Sequence, residues 1–153
     1  MPSLAARETT KPSAARRKAE ILISLIVRGD LDKEAIASTL GIEASKSWSS
    51  GDVVHPKAVL RHEDAGWQLK VAPSSRLTFQ QHVNKLIRKI APHAKGFQRL
   101  PPGVVVYLHC AIYDYEYRSV AITFPKEALR VLADIGAAID IDYYDLSDES
   151  DDG

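Results

Sequence analysis

Two aspartates near the C-terminal end have the spacing of paired carboxylate chemistry. Asp140 and Asp142 alternate with isoleucines, so a β-strand would place both carboxylates on one face, about 7 Å apart. Two carboxylates at that distance can bind a metal ion or share acid and base roles in hydrolysis. Asp140 and Asp142, with Tyr144 beside them, are the residues on which an enzymatic function could be based. The simpler interpretation is the solvent face of an amphipathic strand, because no histidine stands at ligand spacing from them.

The other residues that could act as nucleophiles or metal ligands are scattered. No two of the histidines form an HxH or HxxxH pair; they are His55, His62, His82, His93 and His109. Cys110 matches no zinc or redox spacing, and its neighbour His109 would face the opposite side of any strand they share. No glycine-rich phosphate loop or nucleophile elbow is present. The sequence therefore predicts no cofactor, no metal and no catalytic residue, and it predicts that Cys110 is a small buried residue.

Aromatic residues indicate a recognition surface. Trp48 lies in a loop of serines and lysines, whereas Tyr113, Tyr115 and Tyr117 alternate along the chain, which places their rings on one face at a hairpin tip. Tyrosine and tryptophan are enriched at protein interfaces. We predict that these four residues bind a partner, and the alternative is that they are buried in the core. Trp67, in contrast, is predicted to be a core residue.

The formal net charge is zero, but the charges are unevenly distributed. Residues 76–113 contain six basic and no acidic residues, whereas residues 114–153 contain three basic and eleven acidic ones. The acid-free segment predicts a basic surface for phosphate groups or an acidic partner, made of Lys85, Arg88, Lys89, Lys95 and Arg99. The alternative is neutralisation by acidic segments of the same fold, since dedicated nucleic-acid binders are usually basic overall.

Length and composition predict one domain between two tails. The 153 residues are 45% hydrophobic and 26% charged, as in a single globular domain. We predict a disordered basic tail over residues 1–17, a domain over residues 18–145 and a disordered acidic tail over residues 146–153. The longest apolar run is too short to cross a bilayer, so we expect no membrane contact. A single cysteine is typical of a protein in a reducing compartment, so we expect a cytoplasmic protein.

Apolar spacing in the first half predicts a strand, a helix and a hairpin. Residues 20–28 alternate as a strand with Ile21, Ile23, Leu25 and Val27 on one face. Asp30 or Asp32 can cap a following helix that ends at Leu40, before Gly41. A polar loop over residues 43–52 then leads to a predicted hairpin of residues 57–62 and 67–71.

The second half predicts two helices and three strands. Thr78 and Gln81 form a capping-box signature for a helix from Phe79 to Ile90, with His82 expected on its exposed face beside the basic residues. A hairpin of residues 104–113 and 117–123, a helix after Pro125 and a strand over residues 139–143 complete the pattern. The order β-α-β-β-α-β-β-α-β predicts an α+β fold, a mainly antiparallel sheet with about three helices on one face.

Several of these stretches together resemble the small bacterial family catalogued as domain of unknown function 4279. The resemblance covers residues 20–144 and is carried by Gly29-Asp30-Leu31-Asp32, Ile36, Leu40-Gly41-Ile42, Gly51-Asp52, Trp67 with Leu69, Leu132, Gly136, and Ile139-Asp140-Ile141-Asp142-Tyr143-Tyr144. Its most specific parts are the opening passage from strand to helix and the closing strand of aspartates and tyrosines, whereas the middle is generic. The chain departs from the family pattern after Ile42, where Glu43-Ala44-Ser45 replaces a typical Pro-Thr or Pro-Ser pair. The family has no assigned activity or cofactor, so the resemblance implies an accessory or immunity protein that acts by binding.

We therefore predict a small protein-binding module without catalytic activity, of the immunity or regulatory accessory kind. Its partner is expected to be another protein. The alternative is a nucleic-acid-binding module that uses residues 76–99, and the second alternative is an enzyme that uses Asp140 and Asp142. The sequence makes no prediction of oligomeric state.

Overall fold

The computed structural model describes residues 19–57, 59–116 and 119–147. The described chain forms five strands, four α-helices and a 3-10 turn. In chain order they are β1 (Glu20–Gly29), α1 (Lys33–Leu40), β2 (Lys46–Trp48), β3 (Ala65–Lys70), α2 (Phe79–Ile90), the 3-10 turn (Ala91–His93), α3 (Ala94–Gln98), β4 (Val105–Asp114), α4 (Lys126–Asp134) and β5 (Ala137–Asp145).

The five strands form one sheet in the order β2-β3-β1-β4-β5. The pairs β2-β3, β3-β1 and β1-β4 are antiparallel, whereas β4 and β5 are parallel. A parallel pair needs a long crossover, and here α4 lies within it. The predicted α+β class with a mainly antiparallel sheet is confirmed.

The described helices pack against one face of the sheet, which we call the helix face. On the central strand β1, the side chains of Ile23, Leu25 and Val27 are at most 2% exposed and belong to the same core as those of α1 and α2. The residues between them lie on the opposite face, which we call the open face, because strand side chains alternate. Leu22 on that face is 37% exposed. The prediction that helices cover one face is therefore confirmed.

The helix boundaries follow the capping signals of the sequence. The Asp32 carboxylate accepts a hydrogen bond from the main-chain N–H of Ala35 at 2.8 Å, and Gly41 ends α1 with a left-handed φ of 73°. Thr78 and Gln81 form the complete capping box at the start of α2. The N-terminal caps of α1 and α2 satisfy main-chain N–H groups that a helix start leaves without a partner. At the end of α1, the N–H of Gly41 donates to the carbonyl oxygen of Ala37, which satisfies a carbonyl group of the helix end.

Two predicted strands are wrong. Residues 59–62 do not form a strand, and the antiparallel partner of β3 is instead β2, within the predicted polar loop. The physical reason is packing, because the Trp48 ring covers Gly66 of β3, and the Ser45 hydroxyl accepts a hydrogen bond from the Lys70 N–H at 2.9 Å.

The second hairpin is also absent. Residues 119–123 form no strand, since the edge of β4 that they would pair with is occupied by the parallel strand β5. The chain turns away from β4 at Asp114, whose carboxylate accepts from the N–H of Ser119 at 3.2 Å. The observed order is β-α-β-β-α-α-β-α-β, with the short α3 added. The predicted tails lie outside the described residues, apart from Leu146 and Ser147.

His82 is buried rather than exposed as predicted. Its side chain is 1% exposed, with Nδ1 2.8 Å from the carbonyl oxygen of Thr78. Its Nε2 accepts from the N–H of Ser74 at 3.3 Å, so Nδ1 carries the ring proton and donates to Thr78. The helical pattern alone missed this because the loop before α2 folds back to supply a polar partner for the ring.

The close approach of α3 to α1 gives a prediction at Gly96. A Cβ added there would lie 2.6 Å from the Thr39 carbonyl oxygen and 3.1 Å from the Leu40 Cα, both backbone atoms. Although alanine is the better helix former, we expect Gly96→Ala to lower the free energy of unfolding by about 1 to 3 kcal/mol, because two helices must separate. Urea unfolding measures this, with Lys95→Ala as the exposed control. Equal midpoints for Gly96→Ala and the unmodified protein would contradict the packing.

Candidate functional site

The open face brings polar residues from four strands into one row. The register places Ser24 on β1 opposite Lys70 on β3 and His109 on β4, while His109 is level with Asp140 on β5. Gln68 lies next to this row and donates from Nε2 to the Ser24 hydroxyl at 3.0 Å. Residues far apart in the chain thus meet because the sheet pairs their strands.

A groove of about 340 Å³ lies on the open face, over the first half of β1 and beside the end of β3. Small side chains form its floor, since Ser24 and Ala111 stand where larger residues would fill the space. Around them lie both apolar and polar side chains, namely Leu22, Gln68, Lys70, Val71, Pro73, His109 and Tyr113. A mostly apolar depression with a few polar groups is typical of a binding site.

His109 and Asp142 form a pair that the sequence analysis missed. His109 Nε2 lies 3.2 Å from Asp142 Oδ2, and since a carboxylate only accepts, Nε2 carries a proton. Local spacing could not reveal this contact, because it depends on the parallel register of β4 and β5. The side chains are 35% and 54% exposed, and an exposed pair of this kind contributes little to stability.

The row does not form a nucleophilic triad. Ser24 engages Gln68, and His109 engages Asp142 through Nε2, so these are two separate pairs. Within the described residues no hydrogen bond joins Ser24 to His109, which a serine nucleophile and its base require. The same residues contain no group of three or more histidines, cysteines or acids that could hold a metal ion. The arrangement is suited to binding through hydrogen bonds and apolar contact.

The predicted aromatic residues are distributed over different environments. Tyr113 lies on the open face and stacks on Tyr144 of β5, with ring centroids 5.0 Å apart. Trp48 is 9% exposed, stacked on His62 at 4.6 Å, and its Nε1 has no hydrogen-bond partner among the described residues. Tyr115 follows the end of β4, and Tyr117 lies outside the described residues. Because β4 ends at Asp114, Tyr115 does not continue the alternation along the strand that places Tyr113 on the open face.

Aromatic contacts also extend along the open face towards the other end of the sheet. The guanidinium carbon of Arg28 lies 5.7 Å from the centre of the Tyr107 ring. Arg28 is exposed, and Tyr107 is half-buried on the neighbouring strand. Together with the Tyr113 and Tyr144 stack, this contact places aromatic rings on both sides of His109 along β4.

The predicted basic residues lie on the other side of the molecule. All are exposed on the outer surface of α2, on α3 or directly after α3, and they are Lys85, Arg88, Lys89, Lys95 and Arg99. The sheet and its helix layer separate them from the open face. The basic surface and the open face are therefore two distinct surfaces, and substitutions can change one without touching the other.

A buried carboxylate anchors one end of the site. Asp114 is 1% exposed and accepts from the Tyr143 hydroxyl at 2.7 Å and from the N–H of Ser119 at 3.2 Å. Desolvation of the hydroxyl and its hydrogen bond to Asp114 raise the pKa of Tyr143 above its ordinary value. The sequence contained no signal for this contact, which joins the end of β4 to β5.

Cys110 lies on the helix face, on the side of β4 opposite His109. Its thiol is fully buried, and burial raises its pKa to about 12. A thiol with that pKa stays protonated at neutral pH and is a poor nucleophile.

Comparison with known proteins identifies the family. A family model described as "Domain of unknown function (DUF4279)" matches residues 19–146, which contain all five strands. The chain belongs to the DUF4279 family. No curated protein and no solved structure matches this DUF4279 chain. No described helix of it is long and apolar enough to cross a membrane.

The contact between Tyr143 and Asp114 predicts a pH-dependent contribution to stability. We expect Tyr143→Phe to lower the free energy of unfolding by about 1 to 2 kcal/mol at neutral pH, because Asp114 loses a buried donor. A raised folded-state pKa means that this stabilisation is complete below the ordinary value of 10 and declines as pH rises through the folded value. Chemical unfolding from pH 7 to 11 measures the difference between the two proteins. A gap that widens in alkali would contradict the assignment.

The burial of Cys110 predicts protection from thiol reagents. We expect a disulfide reagent at pH 8 to modify Cys110 only after unfolding, because the thiol is enclosed and protonated in the native state. The modification rate across a urea titration should follow the unfolded fraction. Rapid modification in native buffer would show that Cys110 is accessible and would contradict its position in the core.

Proposed function

We propose that this member of the DUF4279 family is a small protein-binding module without catalytic activity, and that the open face is its contact surface. The observation that carries the proposal is the one-sided packing of the sheet, which leaves the open face without a described helix over it. In this proposal the chain acts as an immunity or regulatory accessory protein, by occupying a surface of its partner.

The apolar part of the open face supports contact with a protein. Leu22 is 37% exposed, Tyr144 44% and Val105 48%. Interfaces gain most of their affinity where a large side chain of one partner enters a pocket of the other. The groove beside Leu22 offers that pocket, and the polar atoms of Ser24, Gln68 and His109 around it can fix the orientation of the incoming group.

The charges of the open face favour a protein over a nucleic acid. The basic residues Lys46, Lys70 and Arg28 lie on β2, β3 and β1. The acidic residues Asp140 and Asp142 lie on β5, and Glu20 lies at the start of β1. A phosphate backbone carries a single sign of charge and would be repelled at β5. A protein surface with acidic groups at one end and basic groups at the other complements both ends.

Nucleic-acid binding is the second candidate, and it uses the basic surface. Its five exposed cations lie on α2, on α3 or directly after α3, in the helix layer and not on the open face that carries Asp140 and Asp142. Phosphate contacts from such a surface would weaken steeply with salt. Because this candidate and the first use opposite surfaces, two variants separate them.

The test captures partners with three versions of the tagged chain from a lysate of its own host. The unmodified protein is compared with an open-face variant, Leu22→Gln with Tyr144→Ala, and a matched helix-side variant, Lys85→Gln with Arg88→Gln. Each capture is repeated after nuclease treatment, and thermal unfolding verifies that all three versions are folded.

We expect one stoichiometric protein that survives nuclease, is retained by the helix-side variant and is reduced at least tenfold by the open-face variant, because loss of central contacts typically costs more than 1 kcal/mol each. Retention by the open-face variant, or no stoichiometric protein at all, would contradict the proposal. If the captured material is lost with the helix-side variant and also after nuclease treatment, the result would support nucleic-acid binding in place of protein binding.

A further inference from the structure

Within the part of the chain that the structure describes, β5 forms a long edge of the sheet. It is the last strand of the sheet and pairs only with β4 among the described strands, whereas the opposite edge is the three-residue strand β2. Over its nine residues, alternate N–H and carbonyl groups point away from β4. Such an edge is a template for another strand unless a bulge, a proline or a covering segment blocks it. The sequence of β5 contains no proline.

Both side-chain faces of β5 remain accessible. Ile139, Ile141 and Tyr143 point to the helix face and are 37 to 39% exposed. Leu129 on α4, the helix packed against β5, is 46% exposed. An added strand could place apolar side chains beside the isoleucines and remove this surface from water, which favours association.

The open-face side chains of β5 determine which strand fits. Asp140 and Asp142 are two residues apart, and Asp142 remains 54% exposed although it contacts His109. In an antiparallel pair of two β5 strands centred on Ile141, Asp140 of each copy would stand opposite Asp142 of the other. Like charges directly opposite each other are destabilising, so β5 disfavours a second copy of itself. Basic residues at alternate positions are the complementary arrangement.

We propose that the β5 edge binds an extended segment of a partner protein by strand addition. In the bound segment, lysine or arginine alternates with aliphatic residues. The basic side chains pair with Asp140 and Asp142 on the open face, while the aliphatic side chains pack beside Ile139 and Ile141. Main-chain hydrogen bonds to β5 supply affinity, and the alternating side chains supply specificity. The inference extends the proposed protein-binding function, because it specifies the backbone conformation and charge of a partner segment.

The probe is a capped nine-residue peptide in which lysine alternates with valine, and a glutamate-valine peptide is its charge control. Two further lysine-valine peptides are N-methylated at alternate residues. One is methylated at the odd-numbered residues and the other at the even-numbered residues, so that each peptide lacks the main-chain N–H donors of one of its two edges. Binding to the full chain is followed by titration calorimetry, and hydrogen exchange of the β5 amides locates the site. Two double variants of the protein are compared. The first combines Asp140→Asn and Asp142→Asn, and its control combines Asp30→Asn and Glu34→Gln, which removes the same charge from the other end of the fold.

We expect the lysine-valine peptide to bind, to slow exchange of alternate β5 amides, and to bind about fivefold more weakly to the Asp140 and Asp142 variant, as two exposed ion pairs imply. The Asp30 and Glu34 variant should bind as the unmodified chain does. Only one of the two N-methylated peptides should lose binding, namely the one whose methylated edge faces β5. Absence of binding, equal binding of the glutamate peptide, equal effects of both methylations, or protection elsewhere would overturn strand addition.

Failure of this inference is distinguishable from failure of the proposed function. The variant Leu22→Gln with Tyr144→Ala changes the open face and leaves the edge backbone intact. If capture of a protein depends on the open face but the lysine-valine peptide does not bind, the proposal of strand addition at the β5 edge is overturned. The proposed protein-binding function is then still supported.

Discussion

The structure depends on the burial of one face of β1. This strand pairs with both β3 and β4, and its residues Ile23, Leu25 and Val27 pack beneath the helices with almost no exposure. Full burial of an aliphatic side chain of this size stabilises a fold by roughly 1.5 to 3 kcal/mol. Because the side chains of a strand alternate, this burial also determines which residues point to the open face. The composition of the candidate site is therefore a consequence of how the core is packed.

The two surfaces of the molecule have different chemical character. The helix layer presents exposed cations from α2 and α3, whereas the open face presents aromatic rings, a groove and charges of both signs. A net charge of zero therefore conceals two surfaces that would select different partners. The acid-free segment of the chain forms α2, the 3-10 turn, α3 and most of β4, whereas the acidic segment contains α4 and β5 and continues beyond β5 in the sequence.

The parallel strand β5 links the core to the candidate site. Its pairing with β4 brings Asp142 to His109, Tyr144 to Tyr113, and Tyr143 to the buried carboxylate of Asp114. The same pairing leaves the opposite edge of β5 without a described neighbour. One strand therefore completes the open face and also exposes the edge for which we propose strand addition.

Local patterns in the sequence determined the elements whose evidence lies within a few residues. The alternation of β1, the Asp32 cap of α1, the capping box of α2 and the alternation of β5 each follow from the 2-residue and 3.6-residue periods or from a short-range hydrogen bond. The α+β class and the one-sided helix layer followed from the order of these elements. The family resemblance agreed with them.

Only the tertiary structure decided which strands pair and which side chains meet. It placed β2 rather than residues 59–62 beside β3, buried His82 against Ser74, and made the Asp142 contact with His109. These results depend on contacts between residues distant in the chain, and no local period records them. Side-chain alternation assigns a residue to one of two faces, but strand order and register determine its neighbours across the sheet.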